Sequence, residues 1–377
     1  MENKTTRIAS IDILRGLVML IMLVDHAREH FFSHQHVIDP MNIQETNPSL
    51  FFTRLSAHLC APIFVFLTGL SAWLYSNPKG KPSRSATSFL LKRGLFLLLL
   101  EVTLVNFSWS ASYNTLYLQV IWAIGISMIS LAFFSKLPRV WIGVIGLLIV
   151  FGHNLLTPIT FTNTEFGYNL WTILHDRGYL FIEGFIKTRV SYPVLPWIGV
   201  ILLGYFTGPI YNYNRVQKNR KKLLLYIGLS LLALLILLRG FNIYGETLPW
   251  KQQNSILQST MSFLNYTKYP PSLDFLLLTL GIGFLLLSYF ETISNKFAKI
   301  LKVYGSAPMF FYLVHLYTLL IVHGILMFTL NNGEIIKLNH IYQLWLVSAV
   351  IAFLLYFPTK KFGDYKRQST SKLIKYF

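Results

Sequence analysis

Charged residues are scarce in this chain of 377 residues. Asp, Glu, Lys and Arg together make up 13% of it and hydrophobic residues 54%, whereas an average soluble domain is about 25% charged. Cysteine is also nearly absent, because Cys60 is the single one. It cannot form a disulfide within the chain, so the cysteine content does not indicate a redox compartment. The composition predicts a polytopic integral membrane protein, with the lipid bilayer as a partner.

Acidic residues are outnumbered by basic ones, 15 against 33, which gives a formal net charge of +18. In a soluble protein this excess would suggest nucleic acid, but cytoplasmic loops of membrane proteins also collect Lys and Arg. We therefore predict no nucleic-acid partner.

Taking about 20 apolar residues as one crossing of the bilayer, we predict an all-α fold with ten transmembrane helices. They lie near residues 11–30, 57–76, 87–107, 115–134, 139–157, 193–211, 222–240, 272–291, 303–330 and 341–357.

The positions of the basic residues predict the orientation of the chain. With these ten spans, 24 of the 33 Lys and Arg residues fall on one side of the membrane, and the positive-inside rule makes that side cytoplasmic. Both termini are then cytoplasmic. We predict a single domain, 1–377, with half-helices or re-entrant segments covering its outer face. Its parts are a first helix pair with its outer loop at 10–76, two outer loops at 158–192 and 241–271, and a cytoplasmic tail at 358–377.

Ionisable side chains concentrate between residues 10 and 69. The first predicted helix ends in the run DHAREH, residues 25–30, and the second is entered through Arg54 and His58. Charges at a membrane boundary are costly to desolvate, so such a cluster indicates a functional site. Histidine titrates near neutral pH, and a nearby carboxylate orients its ring for general-base catalysis. The pairs that the sequence offers are Asp25 with His26 and Asp39 with His58.

The histidines of this stretch also allow a metal-site interpretation. His26 and His30 are four residues apart, so both could bind a metal from one helix face, with His34, His36 or His58 completing the site. A zinc HExxH motif, however, needs Glu directly after the first histidine, and Ala27 stands there. We therefore predict no metal.

Several motifs of the chain resemble known membrane enzymes. The run Ile11-Asp12-Ile13-Leu14-Arg15-Gly16, followed by an apolar helix that ends in Asp25-His26, resembles the transmembrane acyltransferase superfamily. The rest of the chain resembles its bacterial branch related to heparan-α-glucosaminide N-acetyltransferase. The matching pieces are Asp25-His26-Ala27-Arg28, Asp39-Pro40, Phe52-Thr53-Arg54, His58 with Ala61-Pro62, Leu118 to Gly125, Tyr192-Pro193 with Leu195-Pro196-Trp197, Thr267 to Leu273, and Phe311-Tyr312-Leu313 with His315.

This resemblance implies a multi-pass enzyme of the bacterial inner membrane. It would take an acyl group, an acetyl group first of all, from cytoplasmic acetyl-CoA or another acyl-CoA and pass it to a sugar or glycan at the outer face. Acyl-CoA would be a co-substrate, with no bound cofactor, and a homodimer is the assembly considered. His26 lies fourteen residues after Asp12, as the histidine of related sugar O-acyltransferases does, whereas lysosomal relatives have theirs close to His36. The catalytic histidine is left open between His26, His36 and His58.

We assign the general base or nucleophile to His26 and its orienting carboxylate to Asp25 or Asp39. The alternative function is a transporter or channel with a polar gate at the outer end of the first two helices, because polar clusters in a bundle also line transport pathways. Substrate or oxyanion contacts are predicted for Arg28, Arg54, His36, His58, Lys268 and His315, and contacts to the phosphates of CoA for Arg15, Lys92 and Arg93.

Overall fold

The protein is mostly helical in a computed structural model that describes residues 8–32, 40–180, 186–212, 215–330, 338–371, 374 and 376–377. Two of the predicted site residues, His36 and Asp39, lie outside these ranges. The helices are α1 Ala9–Phe31, α2 Pro48–Ala57, α3 Cys60–Ser76, α4 Thr87–Leu100, α5 Asn106–Ser110, α6 Val120–Phe134, α7 Arg139–Gly152, α8 Tyr168–Leu174, α9 Leu195–Phe206, α10 Gln217–Gly240, α11 Ile256–Phe263, α12 Leu273–Phe290, α13 Lys296–Ser306, α14 Pro308–Leu330 and α15 Ile341–Gln368.

Six helical segments of the described chain are long and apolar enough to cross a membrane, so the protein is multi-pass. Each of the ten predicted spans overlaps at least one of the helices, but α1 carries Asp12, Arg15 and Asp25 and α4 has 14 residues. Ten crossings and the orientation of the termini stay predictions. The six segments are Pro48–Ser76, Arg139–Leu156, Gln217–Gly240, Leu273–Phe290, Pro308–Thr329 and Ile341–Gln368, and shorter apolar helices lie at Val120–Phe134 and Leu195–Tyr211.

A small sheet corrects the prediction of an all-α fold. Its strands are β1 Thr115–Leu118, β2 Gly178–Leu180 and β3 Lys187–Val190, in the order β1-β3-β2, with β1 parallel and β2 antiparallel to β3. The predicted helix over 115–134 therefore begins at Val120. Asn106 holds β1 in place, because its amide exchanges two hydrogen bonds with the backbone of Tyr117, at 2.9 and 2.6 Å.

One further predicted helix was wrong in its bounds, and the predicted tail proved to be partly helical. The span over 303–330 is two helices, since α13 ends at Ser306 and α14 begins with Pro308, a residue that suits the first turn of a helix and not its interior. The predicted tail over 358–377 is helical up to Gln368, because α15 continues through Pro358. Pro358 did not end the helix, and the last turns of α15 consequently reach the same end of the molecule as α13.

Glycines allow α1 to pack directly on α13. A Cβ atom on Gly16 would lie 1.8 Å from the carbonyl oxygen of Leu301, and one on Gly305 would lie 1.8 Å from that of Asp12. Small residues at such crossings let backbones touch, which is how helices associate in membranes. The helix α1 also packs against α2, α3, α12, α14 and α15. It is therefore surrounded by other helices, and its polar residues lie inside the bundle.

Candidate active site

A large cavity runs along α1 through the helix bundle. Its volume is about 870 Å³, and its lining includes Ile8 at one end of α1 and His26 near the other. These residues are 18 positions apart, which corresponds to about 27 Å along a helix axis. This distance is close to the roughly 30 Å thickness of the hydrocarbon core. The cavity therefore connects two chemically different ends of the bundle.

The end of the cavity near Ile8 is rich in basic residues. Arg93 lies there with its Nε atom buried and without a hydrogen-bond partner in the described part of the chain. Arg15 donates to Asp12 at 3.3 Å and to the hydroxyl of Ser71. Guanidinium groups bind phosphate oxygens well, so this end suits a phosphorylated ligand. The cations that line it are Arg15, Lys79, Lys81, Arg84, Arg93 and Lys366.

Lys92 and Arg93 face different spaces in the structure, although both were predicted to contact the phosphates of CoA. Arg93 lines the cavity, as does Arg15. Lys92 is exposed and is not part of the lining. Successive residues of a helix point about 100° apart, so two neighbours rarely face the same space. Lys92 is consequently not placed to contact a ligand in this cavity.

A pair of histidines lies toward the other end of the cavity. Nδ1 of His26 is 2.8 Å from Nε2 of His315, and Nδ1 of His315 is 2.8 Å from the carbonyl oxygen of Phe311. A carbonyl only accepts, so Nδ1 of His315 donates to it, and Nε2 of a neutral His315 is then an acceptor. Nδ1 of His26 must be the donor of the bond between the rings. The hydrogen-bond chain leaves the lone pair of His26 on Nε2, where a base needs it.

Aromatic rings surround this histidine pair. Trp109 and Tyr312 both meet the ring of His26 edge-on, with centroid distances of 5.1 and 5.8 Å. Trp109 also stacks on His30, one turn further along α1, at 5.6 Å. Such packing restricts the rotation of the His26 ring. The ring of His26 is therefore held in one orientation by a hydrogen bond and by contacts on several sides.

Asp25 does not orient the ring of His26, contrary to the sequence-based assignment. Its Oδ1 accepts a hydrogen bond from Nε of Arg28 at 3.1 Å, and its Oδ2 accepts one from Arg54. Arg28 in turn donates to Glu29 at 2.8 Å. The structure assigns the orienting position to His315 instead. The predicted arginines are brought together as a buried ion network beside His26, and of this network only Asp25 lines the cavity.

The structure also changes the role of His315 and leaves His58 apart from the cavity. His315 was predicted to contact substrate, but it is fully buried behind His26 and does not line the cavity. His58 is 1% exposed, its ring centroid lies 5.1 Å from that of Phe275, and it is not part of the lining. Neither is placed to touch a ligand in this cavity. The alternatives His36 and Asp39 lie outside the described residues.

The cavity wall beyond Asp25 is formed by Lys268 and Tyr192. The hydroxyl of Tyr269 donates to that of Tyr192 at 3.2 Å, and Nζ of Lys268 lies 5.2 Å from the centroid of the Tyr269 ring. The guanidinium of Arg177 lies over the same ring at 4.6 Å. Burial raises the pKa of the Tyr192 hydroxyl well above its usual range, so this hydroxyl stays protonated. This end of the cavity is therefore polar, and the charged side chains that line it in the described part of the chain are Asp25 and Lys268.

Sequence reasoning missed three kinds of residue in this site. Tyr312 and Tyr192 were noted only within motifs of the family resemblance, and neither was predicted to belong to the site. The cations Lys79, Lys81, Arg84 and Lys366 served only to predict topology. Their clustering around helix ends on the same predicted side was the available signal. Within the described ranges, no group of three His, Cys, Asp or Glu side chains is arranged to hold a metal ion.

The amino-acid sequence matches one known protein family. A search of the curated proteins finds no match. The family described as heparan-alpha-glucosaminide N-acetyltransferase, catalytic, matches residues 7–238, which is more than half of the chain. The matched segment holds Asp25, His26 and Arg54 together with the cations of the cavity from Arg15 to Arg93. The chain therefore belongs to the heparan-α-glucosaminide N-acetyltransferase catalytic family and is a membrane acyltransferase.

Proposed function

We propose that this protein transfers an acetyl or other acyl group from cytoplasmic acyl-CoA to a sugar or glycan at the outer face of a bacterial inner membrane. The observation that carries the proposal is the cavity along α1. It has six cations near one end, and the His26 ring, hydrogen-bonded to His315, lies toward the other. The phosphate site begins at Arg15, eleven residues or about 17 Å along α1 from His26, which suits a donor that enters on one side and an acceptor that arrives on the other.

In this proposal the donor occupies the cavity from its basic end to His26. The phosphates of CoA would bind Arg15, Arg93 and the other cations at the basic end. Between the ends the wall is mostly apolar and includes Met19, Met22 and Leu97, so a long pantetheine arm would pass along it without leaving charges unsolvated. The thioester would then reach His26. Acyl-CoA thus serves as a co-substrate, and no bound cofactor is part of the proposal.

The chemistry assigned to His26 is general-base catalysis. Its Nε2 takes the proton of the acceptor hydroxyl or amine as the oxygen or nitrogen attacks the thioester carbon. The resulting tetrahedral intermediate breaks its C–S bond, and the imidazolium returns the proton to the leaving thiolate. Transfer through an acyl group on His26 would use the same nitrogen. His315 keeps the Nδ1 proton in place throughout, so that Nε2 is the nitrogen that reacts.

The proposed membrane topology follows from the same cavity. The six cations of its basic end belong to the set that the positive-inside rule places in the cytoplasm. Ten crossings would then put both termini in the cytoplasm, and would direct Lys268, Tyr192 and the loops over 158–192 and 241–271 outward. These loops contain the short elements α8, β2, β3 and α11. The homodimer stays a prediction.

The proposal is tested by acetyl-CoA binding to the purified protein in detergent. We expect Arg93→Glu to raise the Kd for acetyl-CoA by about 10- to 100-fold, because a charge-assisted hydrogen bond contributes roughly 1.5–3 kcal/mol and the new carboxylate also repels phosphate. Lys92→Glu is the matched control. It makes the same charge change one residue away on the exposed side of α4, and we expect a Kd within threefold of wild type. Isothermal calorimetry measures both values.

A second variant separates binding from folding. Arg93→Gln removes the charge without introducing repulsion, so we expect an intermediate Kd with the thermal stability of wild type. Equal effects of the Lys92 and Arg93 changes would show that only the overall surface charge attracts the ligand. No saturable binding to well-folded wild type would remove the donor from the proposal and favour the transporter alternative.

A further inference from the structure

Tyr312 presents a buried hydroxyl to the cavity beside the histidine pair. The residue is 3% exposed, it lines the cavity, and its hydroxyl has no hydrogen-bond partner among the residues that the structure describes. A buried polar group without a partner costs stability, so native proteins rarely keep one that has no use. Phenylalanine would fill the same space without this cost. Because Tyr312 lies on the cavity wall, its hydroxyl is available to donate a hydrogen bond to a ligand in the cavity.

The position of Tyr312 indicates what this ligand is. Its ring lies 5.8 Å from that of His26 and 5.7 Å from that of His315, measured between centroids. Along α14 the cavity is lined by Pro308, Met309 and Tyr312, in this order from the basic end. A ligand that extends from the cations toward His26 consequently passes Tyr312 just before it reaches the base.

We propose that Tyr312 is a catalytic residue whose hydroxyl donates a hydrogen bond to the thioester carbonyl oxygen of acyl-CoA. This inference rests on the proposed function and adds the group that stabilises the oxyanion. When the acceptor attacks the carbonyl carbon, the C=O π electrons move to the oxygen, and the Tyr312 hydroxyl donates to the resulting oxyanion. When the C–S bond breaks, the carbonyl re-forms and the sulfur leaves with the bonding pair. A donor aimed at developing charge in a site without water is among the strongest sources of catalysis.

This assignment replaces the earlier candidates for the oxyanion contact. Arg28 and Arg54 donate to the carboxylates of Asp25 and Glu29, and neither lines the cavity. His58 is also outside the lining. Tyr312 differs from these residues because it is on the cavity wall and its donor has no partner among the described residues.

The test uses Tyr312→Phe and two ligands of the donor site, so it does not depend on knowing the acceptor. One ligand is acetyl-CoA. The other is a CoA analogue with a trifluoromethyl ketone in place of the thioester, whose hydrated carbon mimics the tetrahedral intermediate. We expect Tyr312→Phe to weaken binding of the ketone by about 10²-fold, as loss of one oxyanion donor does. We expect the Kd for acetyl-CoA to stay within threefold of wild type.

Thermal stability and a control variant distinguish catalysis from structure. Tyr312→Phe removes a hydroxyl without a partner, so its melting temperature in detergent should equal or exceed that of wild type. Tyr266→Phe is the control, since Tyr266 also has a buried hydroxyl without a partner among the described residues but lies outside the cavity lining. It should bind both ligands as wild type does.

The outcomes separate this inference from the proposed function. Equal binding of the ketone by wild type and Tyr312→Phe, with acetyl-CoA also bound, would overturn the role of Tyr312 alone. A stable wild-type protein that binds neither ligand would overturn the proposed function and this inference with it. A lower melting temperature of Tyr312→Phe with parallel loss of both ligands would make Tyr312 a structural residue, which also contradicts the proposal.

Discussion

Replacing His26 by alanine is expected to lower the rate of acyl transfer by about 10²- to 10⁴-fold, the usual contribution of a general base. The reason is specific to its ring nitrogens. Nδ1 donates a hydrogen bond to Nε2 of His315, so Nε2 of His26 is the nitrogen available to take the acceptor proton. Binding of acetyl-CoA should be retained, because the cations of the basic end are unchanged. Release of free CoA thiol, measured with glucosamine as the acceptor probe, gives the rate, and calorimetry gives the Kd.

Two sets of variants decide whether His26 acts as proposed. His315→Gln keeps an acceptor for Nδ1 of His26 and should retain more activity than His315→Leu, which cannot accept a hydrogen bond. This order would not result from a purely structural His315. His36→Ala and His58→Ala test the other candidates for the catalytic histidine. An inactive His36→Ala beside a fully active His26→Ala would transfer the role to His36.

Apolar runs in the sequence predicted the helices well but predicted their breaks poorly. The run over 115–134 is mostly apolar, and hydropathy alone does not show that its first four residues form strand β1 instead of helix. The partner of β1 is β3, more than 60 residues further along the chain. Such pairing is a tertiary property. Pro308 was the one local signal for the break between α13 and α14.

The sequence predicted which types of residue form the candidate site, but not which of these residues contact one another. The cluster of charges at the end of α1 did indicate where the polar residues gather. The orienting group for His26, however, is His315, which is 289 positions away. Asp25, the neighbour of His26 in sequence, instead accepts hydrogen bonds from two arginines. Helix geometry could have separated Lys92 from Arg93, since neighbours face different directions. It could not have shown which of the two faces the cavity.

The ion network beside His26 gives the largest expected effect on stability. Asp25 and Arg54 are each 12% exposed at their side chains and are joined by a direct salt bridge. Replacing Arg54 by methionine keeps much of the side-chain volume but removes one of the two cations that Asp25 contacts. Breaking a buried pair in this way costs about 3–5 kcal/mol. Since Arg28 still contacts Asp25 at 3.1 Å, we expect about 3 kcal/mol, measured as the free energy of unfolding in a mixed-micelle denaturant titration.

A double-mutant cycle shows whether this loss comes from the pair itself. Asp25→Asn combined with Arg54→Met leaves no unpaired charge, because Arg28 keeps its contact with Glu29 at 2.8 Å, so the double variant should recover most of the stability. Glu29→Gln is the matched control. Its carboxylate is 41% exposed and 3.9 Å from Arg54, so its loss should cost less than about 1 kcal/mol. Additive losses in the double variant would mean that Arg54 stabilises the bundle by packing, and that the charge on Asp25 is balanced by Arg28 alone.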